Sequence, residues 1–189
     1  MTPMLVFDLE TIPDVEGLRA LNGWGEDVPD AEVVERATAA RREAVGHDFL
    51  PLHLQKIAVV GCVFRDDDGF RVKCIGKADD PEATLISGFF KTIDRYTPQL
   101  ISWNGSGFDL PVLHYRGLIH GIQASRYWDM GEDDRDFRYS NYISRYHNRH
   151  CDLMDLLAKY NGRANAPLDE LAKLCGFPGK LGMDGSQVW

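Results

Sequence analysis

Apolar residues along this chain recur at two spacings, and the switches between them mark out the elements. Leu5-Val6-Phe7 with Leu9 forms a short strand-like run, interrupted at alternate positions by Asp8 and Glu10. Thr11-Ile12-Pro13-Asp14 turns the chain, and a polar region extends to about His47. Within it, Pro29-Asp30 opens a helix to Ala44 that is rich in Ala, Glu and Arg; its weak apolar stripe places it at the periphery. Ile57 to Phe64 reads as a buried strand and Phe70 to Ile75 as its half-buried hairpin partner. Between them, Asp66-Asp67-Asp68-Gly69 reads as a solvated turn rather than a calcium loop.

Asp80 is the expected cap of a second helix, with Pro81 in its first turn. Leu85, Ile86, Phe89, Phe90 and Ile93 share one face of it, suited to packing on a sheet, and Tyr96-Thr97-Pro98 ends it. Leu100-Ile101-Ser102-Trp103 is a further core strand that runs into Asn104-Gly105-Ser106-Gly107-Phe108-Asp109. From Asp109 the pattern is helical, with Leu110, Leu113 and Leu118 on one side. Gln123 to Arg149 lacks periodicity and reads as an irregular insertion. Cys151 to Leu157 suits a short strand or a helical turn, and Leu168 to Leu174 a helix closed by Gly176 and Pro178. Strand, strand, strand, helix, strand, helix is the order of an α/β sheet with an antiparallel hairpin beside its first strand.

A length of 189 residues suits one domain with a substantial core. The formal net charge of -8 argues against gripping nucleic acid by bulk electrostatics, although not against an enzyme that holds a few nucleotides through metal ions. Cys62, Cys74, Cys151 and Cys175 form no Cys-x-x-Cys pair and read as reduced thiols. No signal peptide and no membrane-spanning run is apparent, so the cytoplasm is the expected compartment.

Candidate chemistry begins with the first strand. Side chains alternate along a strand, so Asp8 and Glu10 share one face while Phe7 and Leu9 share the other. Two acids on one face of a core strand are costly without a neutralising cation, and hard divalent metals take carboxylate oxygens. A solvated surface strand is the plainer alternative. Asp109 follows a glycine-containing loop at a strand end, where α/β folds place ligands, although capping its helix is the more common role for such an acid taken by itself. If the first and fourth strands are neighbours, all three carboxylates meet at one sheet edge. His147, His150 and Cys151 with Asp152 lack the second pair that a zinc site requires. Tyr139, Tyr142, Arg145, Tyr146 and Arg149 interleave rings with cations, suited either to a single nucleic-acid strand or to packing on the domain.

Phe-Asp-Leu-Glu-Thr at Phe7–Thr11, followed by Asn-Gly-x-x-Phe-Asp at Asn104–Asp109, resembles the first two motifs of the DEDD 3'–5' exonucleases. The likeness is closest to the predicted exonucleases related to the proofreading domain of family-B DNA polymerases. The segments His150 to Asp155 and Gly179 to Ser186 resemble that group too. The resemblance implies a ribonuclease H-like fold, a mixed sheet of about five strands with helices on both faces. It implies hydrolysis of single-stranded DNA from the 3' end to nucleoside monophosphates, with Mg²⁺ or Mn²⁺ as cofactor and RNA as an alternative substrate. Two ions about 4 Å apart would clamp the scissile phosphate, one activating water and the other steadying the leaving 3' oxygen. Asp8 would bridge both ions, Glu10 would share the ion that binds the water, and Asp109 would hold the other. The backbone at Leu9 and Thr11, with Asn104 and Phe108, would contact the terminal nucleotide.

One departure from the family pattern stands out. The third motif, Tyr-x-x-x-Asp in one branch, supplies a fourth carboxylate and a residue that orients the water. Tyr142-x-x-x-Tyr146 lacks the acid, and Asp152, Asp155 and Asp184 lack the expected context, Asp152 reading as structural. The expectation is therefore a single domain over residues 1–189 that lacks its C-terminal helix and is weakly active or inactive. The competing reading is a non-catalytic nucleic-acid or protein-binding module on the same fold.

Overall fold

The computed structural model describes residues 2–77 and 79–179. Five strands form one mixed sheet: β1 (Met4–Pro13), β2 (Gln55–Asp66), β3 (Gly69–Ile75), β4 (Gln99–Ser102) and β5 (His150–Asp152). Their order is β3-β2-β1-β4-β5, antiparallel on the hairpin side and parallel from β1 to β5. The first and fourth strands are thus neighbours, with Val6 opposite Ile101. The helices are α1 (Val15–Asn22), α2 (Asp30–Val45), α3 (Glu82–Tyr96), α4 (Asp109–Ile119), α5 (Ser125–Trp128), α6 (Leu153–Leu157) and α7 (Leu168–Leu174). This is the α/β architecture with a five-strand mixed sheet that the sequence implies, consistent with a ribonuclease H-like fold. No described helix is long and apolar enough to cross a membrane.

One face of the sheet carries the core. Leu5, Phe7 and Leu9 of β1 face the same way as their β2 partners Phe64, Cys62 and Val60, and all are buried. The apolar stripe of α3 closes on them: Leu85, Ile86, Phe89, Phe90 and Ile93 are all buried, and the Phe7 and Phe89 rings lie 5.0 Å apart. On the opposite face, Leu153 of α6 and Leu168 of α7 approach the row of Val6, Val63, Val72 and Ile101. A smaller cluster of Leu18, Val33, Leu50 and Leu54 anchors α1 and α2, and α2 buries Val33 alone, as its weak stripe implies.

Several elements differ from expectation for identifiable reasons. α1 lies inside the region read as merely polar; Asp14 caps it by accepting from Gly17 N, a short-range signal easily taken for a turn. β3 is exposed rather than half-buried, since nothing described packs over Phe70. Asp80 accepts from Lys77 N instead of capping α3, whose first residue is Glu82. In α4, Leu118 is 79% exposed while Val112 and Arg116 are buried, because the inward stripe is partly polar. Residues 151–157 satisfy both readings, β5 passing directly into α6 at Asp152. The segment 180–186, including Asp184, lies outside the described residues.

Candidate active site

The site begins where β4 stops pairing with β1. Past Val6, the N–H of Leu9 has no strand partner on that side, and a buried amide requires one. The carboxylate of Asp109, first residue of α4, supplies it: Asp109 Oδ1 accepts from Leu9 N at 2.9 Å. Phe108, not Asp109, is the cap position, so Asp109 is held by the sheet rather than by its own helix. On the far face of β1, Asp8 is exposed and Glu10 half-buried. The three carboxylates line one cleft of about 660 Å³.

The loop from β4 to α4 brings Asp109 into place. Asn104 adopts φ 62°, and Gly105 passes so close to Ser102 that a Cβ would lie 2.2 Å from its hydroxyl. Ser102 Oγ in turn pairs with buried His150 Nε2 at 2.8 Å. Asp152 fixes the loop from the other side, accepting from Asn104 N and Ser106 N, both at 2.9 Å, and from Met154 N at the start of α6. That network explains why Asp152 is buried although it is not among the residues lining the cleft.

Electrostatics set Asp109 apart. Its pKa is pushed up to about 7, first by burial, then by the charge of Asp8, with Asp152 adding to the effect and the Leu9 N–H opposing it. Of the residues expected to meet a substrate, Asn104 and Phe108 line the cleft, and the Phe108 ring is 5.9 Å from that of Phe49. Leu9 lines it as well, but its N–H is donated to Asp109. Thr11 is not among the lining residues, and its hydroxyl pairs with Gln55. Trp103 and Gly61, opposite Asp8, complete the walls. Neither stands out in the sequence as a site residue; the signal for Trp103 is its place just past the end of β4, directly before Asn104.

The other candidate clusters resolve into structural roles. His150 is engaged with Ser102, and His147 Nδ1 accepts from Asn141 N. Tyr142 is buried with its hydroxyl on the Pro98 carbonyl, and Arg149 lies 4.1 Å over Phe137, whereas Tyr139 and Tyr146 are exposed. The cleft's donors are carboxylate oxygens, the kind hard divalent cations take. Among the described residues, however, no three His, Cys, Asp or Glu side chains converge closely enough to hold a metal ion.

No curated protein matches the chain. Residues 47–189 match the family described as "Predicted 3'-5' exonuclease related to the exonuclease domain of PolB". The match includes β4, the Asn104–Asp109 loop and α4, and begins after β1, so Asp8 and Glu10 stand on the geometry given above. With the loop that carries Asp109 inside the matched region and a fold of the corresponding kind, the chain belongs to the family of predicted 3'–5' exonucleases related to the exonuclease domain of PolB.

Proposed function

We propose that this chain is a metal-dependent 3'–5' exonuclease that releases nucleoside monophosphates from single-stranded DNA. The observation that carries the reading is the cleft shared by Asp8, Glu10 and Asp109, in which burial and the charge of Asp8 push the Asp109 pKa up to about 7. Asp109 ionises poorly there without added positive charge, and a divalent cation would supply it. Asp8 and Glu10 would hold Mg²⁺ or Mn²⁺ from β1, and Asp109 from the start of α4 beside it. Once bound, two such cations would activate water and stabilise the leaving 3' oxygen. Leu9 N–H keeps the Asp109 carboxylate fixed against β1. Asn104 offers an amide to the terminal sugar or phosphate, and Phe108 and Trp103 offer rings to its base. No Lys or Arg is among the described residues lining the cleft, so contacts fall on phosphate and sugar through the cation and sequence preference is not expected. Four free cysteines suit a reducing compartment, and we place the protein in the cytoplasm.

Turnover by residues 1–189 is expected to be slow. Three carboxylates line the cleft among the described residues, and Asp152, the acid beside the loop, is held by backbone N–H groups. A misplaced nucleophile costs on the order of a hundredfold in rate. The test is a 5'-labelled single strand incubated with Mg²⁺ or Mn²⁺ at enzyme excess. A descending ladder that Asp8→Ala abolishes is expected. Parallel RNA strands distinguish an RNA-preferring enzyme. No ladder with either cation overturns the reading in favour of a non-catalytic binding module.

A further inference from the structure

We propose that Arg145, Tyr146 and Tyr160 form the surface along which a single nucleic-acid strand runs as it leaves the cleft, holding the nucleotides upstream of its 3' end. Only the direction of the strand rests on the nuclease reading above; the surface is argued from its own charge and geometry.

The chain as a whole carries a formal charge of -8, yet residues 137–163 contain five Lys or Arg against two Asp. Two of those cations are committed to the fold: Arg138 donates to the Gly131 carbonyl, and Arg149 donates to Ser140 while lying over Phe137. The others, Arg145, Lys159 and Arg163, are at least partly exposed. Arg145 gives one nitrogen to Asp155 at 2.7 Å, and its side chain is still 47% exposed, leaving donors of the guanidinium fork open to solvent. The same guanidinium lies 5.3 Å over the Tyr160 ring, and Tyr146 meets Tyr160 edge-on with centroids 5.0 Å apart. Tyr146 itself is 70% exposed. An exposed ring, braced by a second ring with a guanidinium beside it, is the arrangement that stacks a base and attracts the phosphate next to it.

The surface also continues from the cleft. Asn104 lines the carboxylate cleft and also a neighbouring cavity of about 380 Å³, whose walls include Ser106, Gly107 and Arg145. A smaller pocket then joins Ser106 and Arg145 to Tyr146 and Tyr160. Asp152 ties Asn104 and Ser106 to the start of α6, so loop and platform are held in one frame. A single strand suits this path better than a duplex or an acidic peptide. A duplex hides its base faces, and the carboxylates of an acidic peptide present no flat face to stack on the ring of Tyr146.

The experiment measures anisotropy of labelled 4-mer and 16-mer DNA with the 189-residue chain in chelator, where turnover is silent, with RNA of equal length alongside. Tyr146→Ala is expected to weaken 16-mer binding about tenfold and leave the 4-mer unchanged, while Tyr146→Phe restores it. Arg145→Gln should lower the slope of log affinity against log salt by about one for the 16-mer. Tyr139→Ala, at an 84% exposed ring away from these pockets, should have no effect. The proposal falls if Tyr146→Ala binds the 16-mer like the parent, if Tyr139→Ala weakens it equally, or if the 4-mer loses as much. Length-dependent loss in a protein that never yields a ladder would sink the nuclease reading and leave the surface standing. A normal ladder with unchanged 16-mer binding would do the reverse.

Discussion

Glu82 and Asp109 occupy nearly the same position twice. Each is the first residue of a helix, each is buried, and each accepts from the N–H of a strand residue beyond the reach of a neighbouring strand. Glu82 takes Ile57 N at 2.7 Å, and Asp109 takes Leu9 N at 2.9 Å. Their acidities nevertheless move in opposite directions. Burial alone would raise Glu82, but Arg116, which reaches both of its oxygens, and His120 outweigh it and hold the carboxyl below its usual range. Asp109 faces burial with Asp8 and Asp152 for company, and is pushed up to about 7. Where an acid serves only the fold, the chain supplies its own cation. In the cleft, burial and the neighbouring acids act on Asp109 in the same direction, the combination of desolvation and charge that recurs at functional sites.

Removing the internal cation should have the largest effect. Arg116 is buried and also bonds Asp14, so Arg116→Met strands two carboxylates. The expected loss is about 3–5 kcal/mol in urea unfolding; a loss under about 1 kcal/mol would mean the node is not what distinguishes Glu82.

Next comes the pH response of Asp109 in chelator. Its folded pKa lies above its unfolded value, so its contribution is present below pH of about 4 and disappears as pH rises through about 7. Asp109→Asn keeps an oxygen for Leu9 N and removes the charge. It should be more stable than the parent at pH 8, by an amount on the order of 2–4 kcal/mol, with the advantage gone at pH 4. Parallel stability-against-pH curves for the two proteins would contradict this. The smallest effect is the response to metal. Mg²⁺ or Mn²⁺ at tenfold its Kd should add about 1.4 kcal/mol, seen as a rise in Tm, and Asp8→Ala should abolish most of it. An unchanged rise in that variant would place the cation elsewhere.

The acids of the cleft were legible because they sit in short motifs on strongly patterned elements. Asp8 and Glu10 follow the period of two, and Asp109 follows a strand through a glycine loop. Glu82 and Arg116 gave no such signal. Glu82 stands in a helix start where an acid is ordinary, and Arg116 occupies a stripe position that binary patterning assigns to an apolar residue. Only the third dimension joins residues 14, 82 and 116. The tyrosines of the insertion divided for the same reason: Tyr142 and Tyr146 look alike in sequence, and tertiary packing alone buries one and exposes the other.

β3 has a consequence for handling the protein. It is the last strand on its side of the sheet, exposed from Gly69 to Cys74, with Phe70 and Val72 turned to solvent. An outer strand of this kind offers its backbone to a second molecule, and concentration then drives sheets to join edge to edge. Lys73 and Arg71, the latter paired with Asp66, interrupt the run with charged side chains, which discourage such joining. Solubility at high concentration therefore hangs on two side chains far from the chemistry, and neutral substitutions at Arg71 and Lys73 are the ones to avoid when the protein is prepared for crystals or spectroscopy.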